Sequence, residues 1–170
     1  MTHSDAFDEI TAAINYPMFV VTTRHRAERS GCLVGFATQT SIDPPRFLVG
    51  ISQANHTHGV AANAEHLAVH LIPRDHLELA TLFGGTTGDT TDKFARCAWS
   101  DGPHDLPILD DAAMWFAGRI LERIDMGDHT GLLIEPDAGE VRTDARGPEA
   151  WVSFADTKDI EPGHLSLIHI

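Results

Sequence analysis

Residues able to do chemistry gather in four stretches of the 170-residue chain. In residues 35–52, GFATQTSIDPPRFLVGIS, a strand-like run passes through Ala37 into the hydroxyl and amide side chains Thr38, Gln39, Thr40 and Ser41 and is then stopped by Pro44 and Pro45. Prolines hold the next segment extended and remove N–H donors. The product is a stiff shelf of backbone and hydroxyl groups, suited to the polar rim of a flat heterocycle. The same composition also makes an ordinary polar turn between strands. In residues 52–64, SQANHTHGVAANA, Ser52, Asn55 and Thr57 stand before or at the start of an alanine-containing helix. Free N–H groups and the helix dipole favour an anion there, such as a phosphate. The alternative is that Asn55 or Thr57 only caps the helix.

His56 and His58 have no convincing third ligand near them, and His66 and His70 fall in a strand-like alternation, so no metal is expected. Residues 83–94, FGGTTGDTTDKF, are glycine-rich, but their spacing fits neither G-x-x-x-x-G-K-[ST] nor G-x-G-x-x-G; they read as a loop leading to Lys93 and Phe94. Met126-Gly127-Asp128-His129 is a tight turn between apolar runs that presents an imidazole. No G-x-S-x-G element or cysteine–histidine pairing supports nucleophilic hydrolysis. Cys32 and Cys97 form no C-x-x-C pair and sit in apolar or aromatic surroundings, as small buried hydrophobes do.

The elements that must position these groups are mostly short strands. Phe7, Ile10 and Ile14 recur at helical spacing behind Ser4, Asp5 and Asp8, which predicts a capped amphipathic helix ending at Tyr16-Pro17. MFVVTT and CLVGFAT flank the polar RHRAERSG as a hairpin, and RFLVGIS and HLAVHLI are strands separated by the helix of THGVAANA. DHLELATLF reads as a helix with Asp75 as its N-cap. Residues 107–124 are ambiguous by periodicity, with strand favoured after Ala112. TGLLIEP and AWVSFAD supply further strands, and the closing LSLIHI is an edge strand or a non-native tail. The pattern predicts a mainly β, antiparallel barrel with peripheral helices.

Twelve Lys+Arg against 25 Asp+Glu leave a formal charge of −13, which disfavours nucleic acid and anionic membranes as partners. The length suits one domain over residues 1–170, able to bury roughly 70% of its unfolded surface. The N-terminus lacks the basic and apolar regions of a secretory signal, and no apolar run approaches the roughly 20 residues of a membrane span. A cytoplasmic protein is the expectation.

Taken in order, YPMFVVTT, GFATQTSIDPPRFLVGIS, the Ser52/Asn55/Thr57 region, LFGG with DKF, PILDDA and GDHTGLLIEP resemble the flavin reductase family over about residues 7–136. The resemblance implies the FMN-binding split barrel, one flavin reductase-like domain, and NAD(P)H-dependent reduction of FMN or FAD. It further implies a homodimer that passes reduced flavin to a separate monooxygenase. By the same resemblance, Ala37, Thr38, Gln39, Thr40 and Ser41 meet the isoalloxazine and ribityl chain. Ser52, Asn55, His56 and Thr57 match positions around the flavin phosphate, Lys93 and Phe94 match positions near the cofactor, and His129 contacts the nicotinamide ring as the catalytic candidate. Two departures stand out. His56 and His58 occupy a region where relatives often carry a basic residue, leaving Lys93, Arg46 and a protonated His56 to attract phosphate. Ala117-Gly118 replaces a frequent cysteine. A non-catalytic flavin- or haem-binding module on the same fold is the alternative. A histidine-rich metal-dependent hydrolase is a third reading.

Overall fold

The computed structural model describes residues 2–89, 91–161 and 163. The closing LSLIHI, expected as an edge strand or tail, lies outside them. Helix α1 (His3–Ala13) starts at Thr2, whose hydroxyl accepts from the Asp5 N–H while the Asp5 carboxylate accepts from the Thr2 N–H. This reciprocal cap corrects the expectation for Ser4, which lies inside the helix. The helix buries none of its residues, so the apolar stripe of Phe7, Ile10 and Ile14 stays exposed.

The β-branched runs pair as β1 (Phe19–His25), β2 (Glu28–Val34), β3 (Ala37–Ser41) and β4 (Arg46–Ser52), followed by α2 (His56–Ala61) and β5 (His66–Leu71). A 3-10 turn over Arg74–His76 leads into α3 (Leu77–Gly85). Asp75 therefore does not cap that helix; His76 holds the N-cap position and makes no side-chain cap bond. A small hairpin, β6 (Trp99–Asp101) and β7 (Pro107–Leu109), precedes the long strands β8 (Met114–Asp125) and β9 (His129–Val141). The segment after Ala112 is thus a strand, as expected.

Seven strands form one antiparallel sheet in the order β2-β1-β5-β8-β9-β4-β3. The sheet curls until β2 meets β4, yet β2 and β3 remain its unpaired edges, so the barrel is split and not closed. The run CLVGFAT breaks at Gly35 and Phe36, where the chain leaves β2 at one edge and enters β3 at the other. Strand β1 is buried on both faces, which is why FVVTT reads as a continuous run. Phe19 and Val21 join Val49, Leu67, Leu132 and Ile134 inside the curl. Val20 faces outward, against Ile72, Leu79, Phe83 and Leu109 beneath α3. The buried hydroxyls of this strand are satisfied: Thr22 donates to the Pro107 carbonyl at 2.6 Å and Thr23 to that of His66 at 2.8 Å.

AWVSFAD is not a strand. Its pairing is limited to isolated bridges, Pro17 with Ser153 and Pro73 with Trp151, before a short helix, α4 (Phe154–Thr157). The reason is local: Ser153 and Asp156 form a capping box that turns the backbone helical.

Candidate functional site

Strands β4 and β9 pair in a register that sets Ser52 directly opposite His129. The turn that delivers His129 is held by three bonds: Gly127 N–H to the Asp125 carboxylate at 3.1 Å, Met126 N–H to the His129 carbonyl at 3.0 Å, and Gln53 N–H to the Asp128 carbonyl at 2.9 Å. Gly127 has φ +121°, a backbone region that a Cβ disfavours, so glycine is the natural residue there. His129 Nδ1 lies 2.8 Å from the Asp128 carboxylate, and that bond holds the Asp128 carboxyl below its ordinary range. The imidazole packs on Phe36 with centroids 4.7 Å apart. Its Nε2 has no partner among the described residues.

Helix α2 is anchored at both ends. The Asn55 Oδ1 accepts from the Thr57 N–H at 2.9 Å, and the Arg123 guanidinium from β8 donates to the carbonyls of Ala61 and Ala64. His58 joins α2 to β9 through a 2.8 Å bond to the Thr130 hydroxyl. Asn55 therefore caps the helix and still directs its amide nitrogen elsewhere.

Ser52, Asn55 and His129 meet in a cavity of about 250 Å³ whose walls include Tyr16, Met18, Val34, Phe36 and Gly50. Gly35 and Gly50 keep it open, since a Cβ on Gly35 would stand 2.6 Å from the Tyr16 ring and one on Gly50 3.2 Å from Phe36. The far wall is Phe154, Thr157 and Ile160, with Phe154 stacked on Tyr16 at 5.0 Å. Sequence reasoning missed this wall. The signal that could have found it is the Ser153-x-x-Asp156 capping box, which the apparent β pattern of AWVSFAD masks.

The remaining candidates go elsewhere. Thr57 is buried, with its hydroxyl 2.8 Å from that of Ser30. Lys93 is buried too, and its ammonium donates to the carbonyls of Gly31 and Phe83 at 3.0 Å each. Burial pushes its pKa down. Lys93, Phe94 and His56 line a second cavity, of about 330 Å³. Both ring nitrogens of His56 are taken by carboxylates, Asp89 at 2.6 Å and Glu28 at 3.0 Å. Arg46 pairs with Glu135 at 3.3 Å. Ala37, Thr38, Gln39, Thr40 and Ser41 form the edge strand β3, mostly exposed, whose outer side leaves backbone donors and acceptors unpaired. Burial raises the thiols of Cys32 and Cys97 to about 11, so neither supplies a thiolate at neutral pH.

The first cavity suits a flat, polar-edged ring. Phe36, Tyr16 and Met18 offer apolar faces, while Ser52, Asn55 and the His129 Nε2 offer hydrogen bonds at the rim. Its volume lies just under the roughly 300–1,000 Å³ of sites that enclose a whole small ligand, so a larger molecule would extend beyond it. The donor set fits the ring system of a flavin.

Residues 11–157 match the flavin reductase like domain. An FMN reductase (NADH) RutF from Bradyrhizobium diazoefficiens is 30% identical over 127 residues, covering 75% of this chain and 68% of that protein. The reductase component of a flavin-dependent trigonelline monooxygenase from Acinetobacter baylyi is 26% identical over 133 residues, covering 76% of this chain but only 40% of that protein. Among solved structures, a flavin reductase domain protein from Arthrobacter sp. FB24 superposes with a TM-score of 0.75 at 25% identity, over 88% of this chain and 94% of the other.

Proposed function

The chain belongs to the flavin reductase like domain family, and from that premise we propose that it is an NAD(P)H-dependent flavin reductase acting on FMN or FAD. The observation that carries the reading is the cavity in which Ser52, Asn55 and His129 meet the faces of Phe36 and Tyr16. When bound, the flavin accepts a hydride from the reduced nicotinamide together with a proton from solvent, leaving oxidised nicotinamide. The protein's share is positioning. Phe36 and His129 offer a stacking surface, and Asp128 fixes the imidazole so that Nε2 is the nitrogen free to bond a ligand. Ser52 and Asn55 serve the ring edge or the chain leading from it, and β3 residues Ala37 to Ser41 offer backbone groups alongside.

A separate monooxygenase is the consumer of reduced flavin in this proposal, supported by the similarity to a named reductase component. We further propose a single domain over residues 1–170, a cytoplasmic setting, and a homodimer. The dimer is supported by exposed Phe7, Ile10, Ile42 and Val141 and by the free edge of β3. Light scattering on the purified chain checks it: twice the 18.5 kDa chain mass is expected, and a monomer at assay concentration counts against it. Mixing the protein with FMN and NADH, and following loss of the nicotinamide absorbance, tests the activity.

A further inference from the structure

We propose that His66, His104 and Asp137 bind one divalent transition-metal ion of the zinc class, at a site separate from the flavin cavity. The three residues come from three elements: His66 opens β5, His104 sits in the 3-10 turn between β6 and β7, and Asp137 lies on β9. One ligand atom of each lies within 4.8 Å of the other two. Asp137 is eight residues along β9 from His129, or roughly 25 Å away at strand rise, so this site shares nothing with the first cavity.

The geometry is close to that of a bound ion without being there already. Ligands held about 2.0–2.2 Å from a tetrahedral ion stand roughly 3.3–3.6 Å apart, so His104 and Asp137 part slightly on taking up the ion while His66, within 4.8 Å of both, closes on them. The two imidazoles stack with centroids 3.6 Å apart and planes 9° apart, and His104 Nε2 lies 2.9 Å from the Asp137 carboxylate. Parallel rings cannot both aim a lone pair at one ion. One must leave the stack, and His104, one-third exposed on a turn, can do so by side-chain rotation.

The backbone presents His104 at a cost. His104 and Asp105 both have φ 58°, a left-handed backbone that a Cβ disfavours, at two successive non-glycine residues. A turn needing only to join β6 and β7 would be cheaper with glycine. The adjoining cavity of about 200 Å³ has room for a further ligand or water; its walls include His25 and Glu65 and also Arg24 and Arg26, of which Arg24 is engaged by the carbonyls of Arg26 and Asp105. Glu65 and Asp137 set two negative charges against Arg119, which pairs with His66 across β5 and β8. Two imidazoles and one carboxylate suit zinc, cobalt or nickel better than magnesium or calcium. The bound ion would tie β5, the β6–β7 turn and β9 together and stabilise the fold by mass action.

The test is calorimetric titration of the chelator-treated chain with Zn²⁺, alongside His104→Asn and Asp137→Asn. Asparagine tolerates the backbone at 104, and equal melting of all three proteins in chelator shows that they fold. One Zn²⁺ per chain, a zinc-dependent rise in Tm, and loss of more than about tenfold in affinity in both variants are expected, since even outer-sphere partners cost that much. Co²⁺ should give the visible absorption of a low-coordinate site in the wild type alone. No saturable Zn²⁺ binding, or equal binding by wild type and His104→Asn, overturns the proposal.

Discussion

His129 and His70 show how neighbours assign one side-chain type two different tasks. His129 stands at a cavity mouth with one nitrogen held by Asp128 and the other free. Replacing it with alanine removes a stacking face worth roughly 0.5–1.5 kcal/mol, so the KM for the nicotinamide should rise about two- to tenfold. Steady-state kinetics with fluorescence titration of FMN checks this; an unchanged KM would remove His129 from the nicotinamide site. His70 is fully buried on β5, 2.9 Å through Nδ1 from the Val20 carbonyl and 3.2 Å through Nε2 from the Leu109 N–H. Nδ1 must donate and Nε2 must accept, which defines a neutral ring. Burial pushes its pKa from 6.5 to about 4. The unfolded chain takes up this proton below pH 6.5 while the folded chain resists until about pH 4, so stability falls as the pH drops through that window. The full loss is about 3 kcal/mol. His70→Gln should be less stable than the wild type at neutral pH, by a margin that shrinks from pH 6.5 towards 4. Urea unfolding at several pH values measures it, and a constant margin would contradict the assignment.

At the scale of elements, β9 brings His129 to the cavity at its first residue, and the long β8–β9 pair behind it is irregular where the backbones crowd. The register shifts between Ala117 and Gly118, where a Cβ on Gly118 would stand 2.0 Å from the Glu135 carbonyl oxygen. Backbone cannot yield as a side chain tip can. Gly118→Ala should therefore cost about 3 kcal/mol and lower Tm by roughly 6–12 °C, read by calorimetry. An unchanged Tm would mean that the bulge has slack. The crowding gives the glycine at 118 a physical reason. The strands themselves were legible because FVVTT, RFLVGIS and TGLLIEP are β-branched and bounded by turn residues. What sequence could not supply was pairing: nothing local says that Ser52 faces His129, or that residues 154–160 return to wall the cavity. The capping of α4 was readable from Ser153 and Asp156, but an alternating apolar pattern outweighed it. The His66/His104/Asp137 cluster was illegible because its members are 38 and 33 residues apart and meet only through the sheet.

For the whole molecule, the surplus of acid shapes how an anionic ligand is held. Several of the basic residues are spent internally: Lys93 on buried carbonyls, Arg123 on the end of α2, Arg46 on Glu135, and Arg142 on the carbonyls of Leu109, Asp110 and Ala112. The first cavity accordingly works with neutral donors and ring faces. No helix among the described residues is long and apolar enough to cross a membrane.

The most direct test is NADH and NADPH oxidation by the purified chain with FMN and with FAD. The predicted result is flavin-dependent loss of nicotinamide absorbance, saturable in both substrates and appearing as free reduced flavin. Absence of acceleration with every pairing, from a folded protein, would contradict the account, and retention of flavin through gel filtration in that case would point to a binding module.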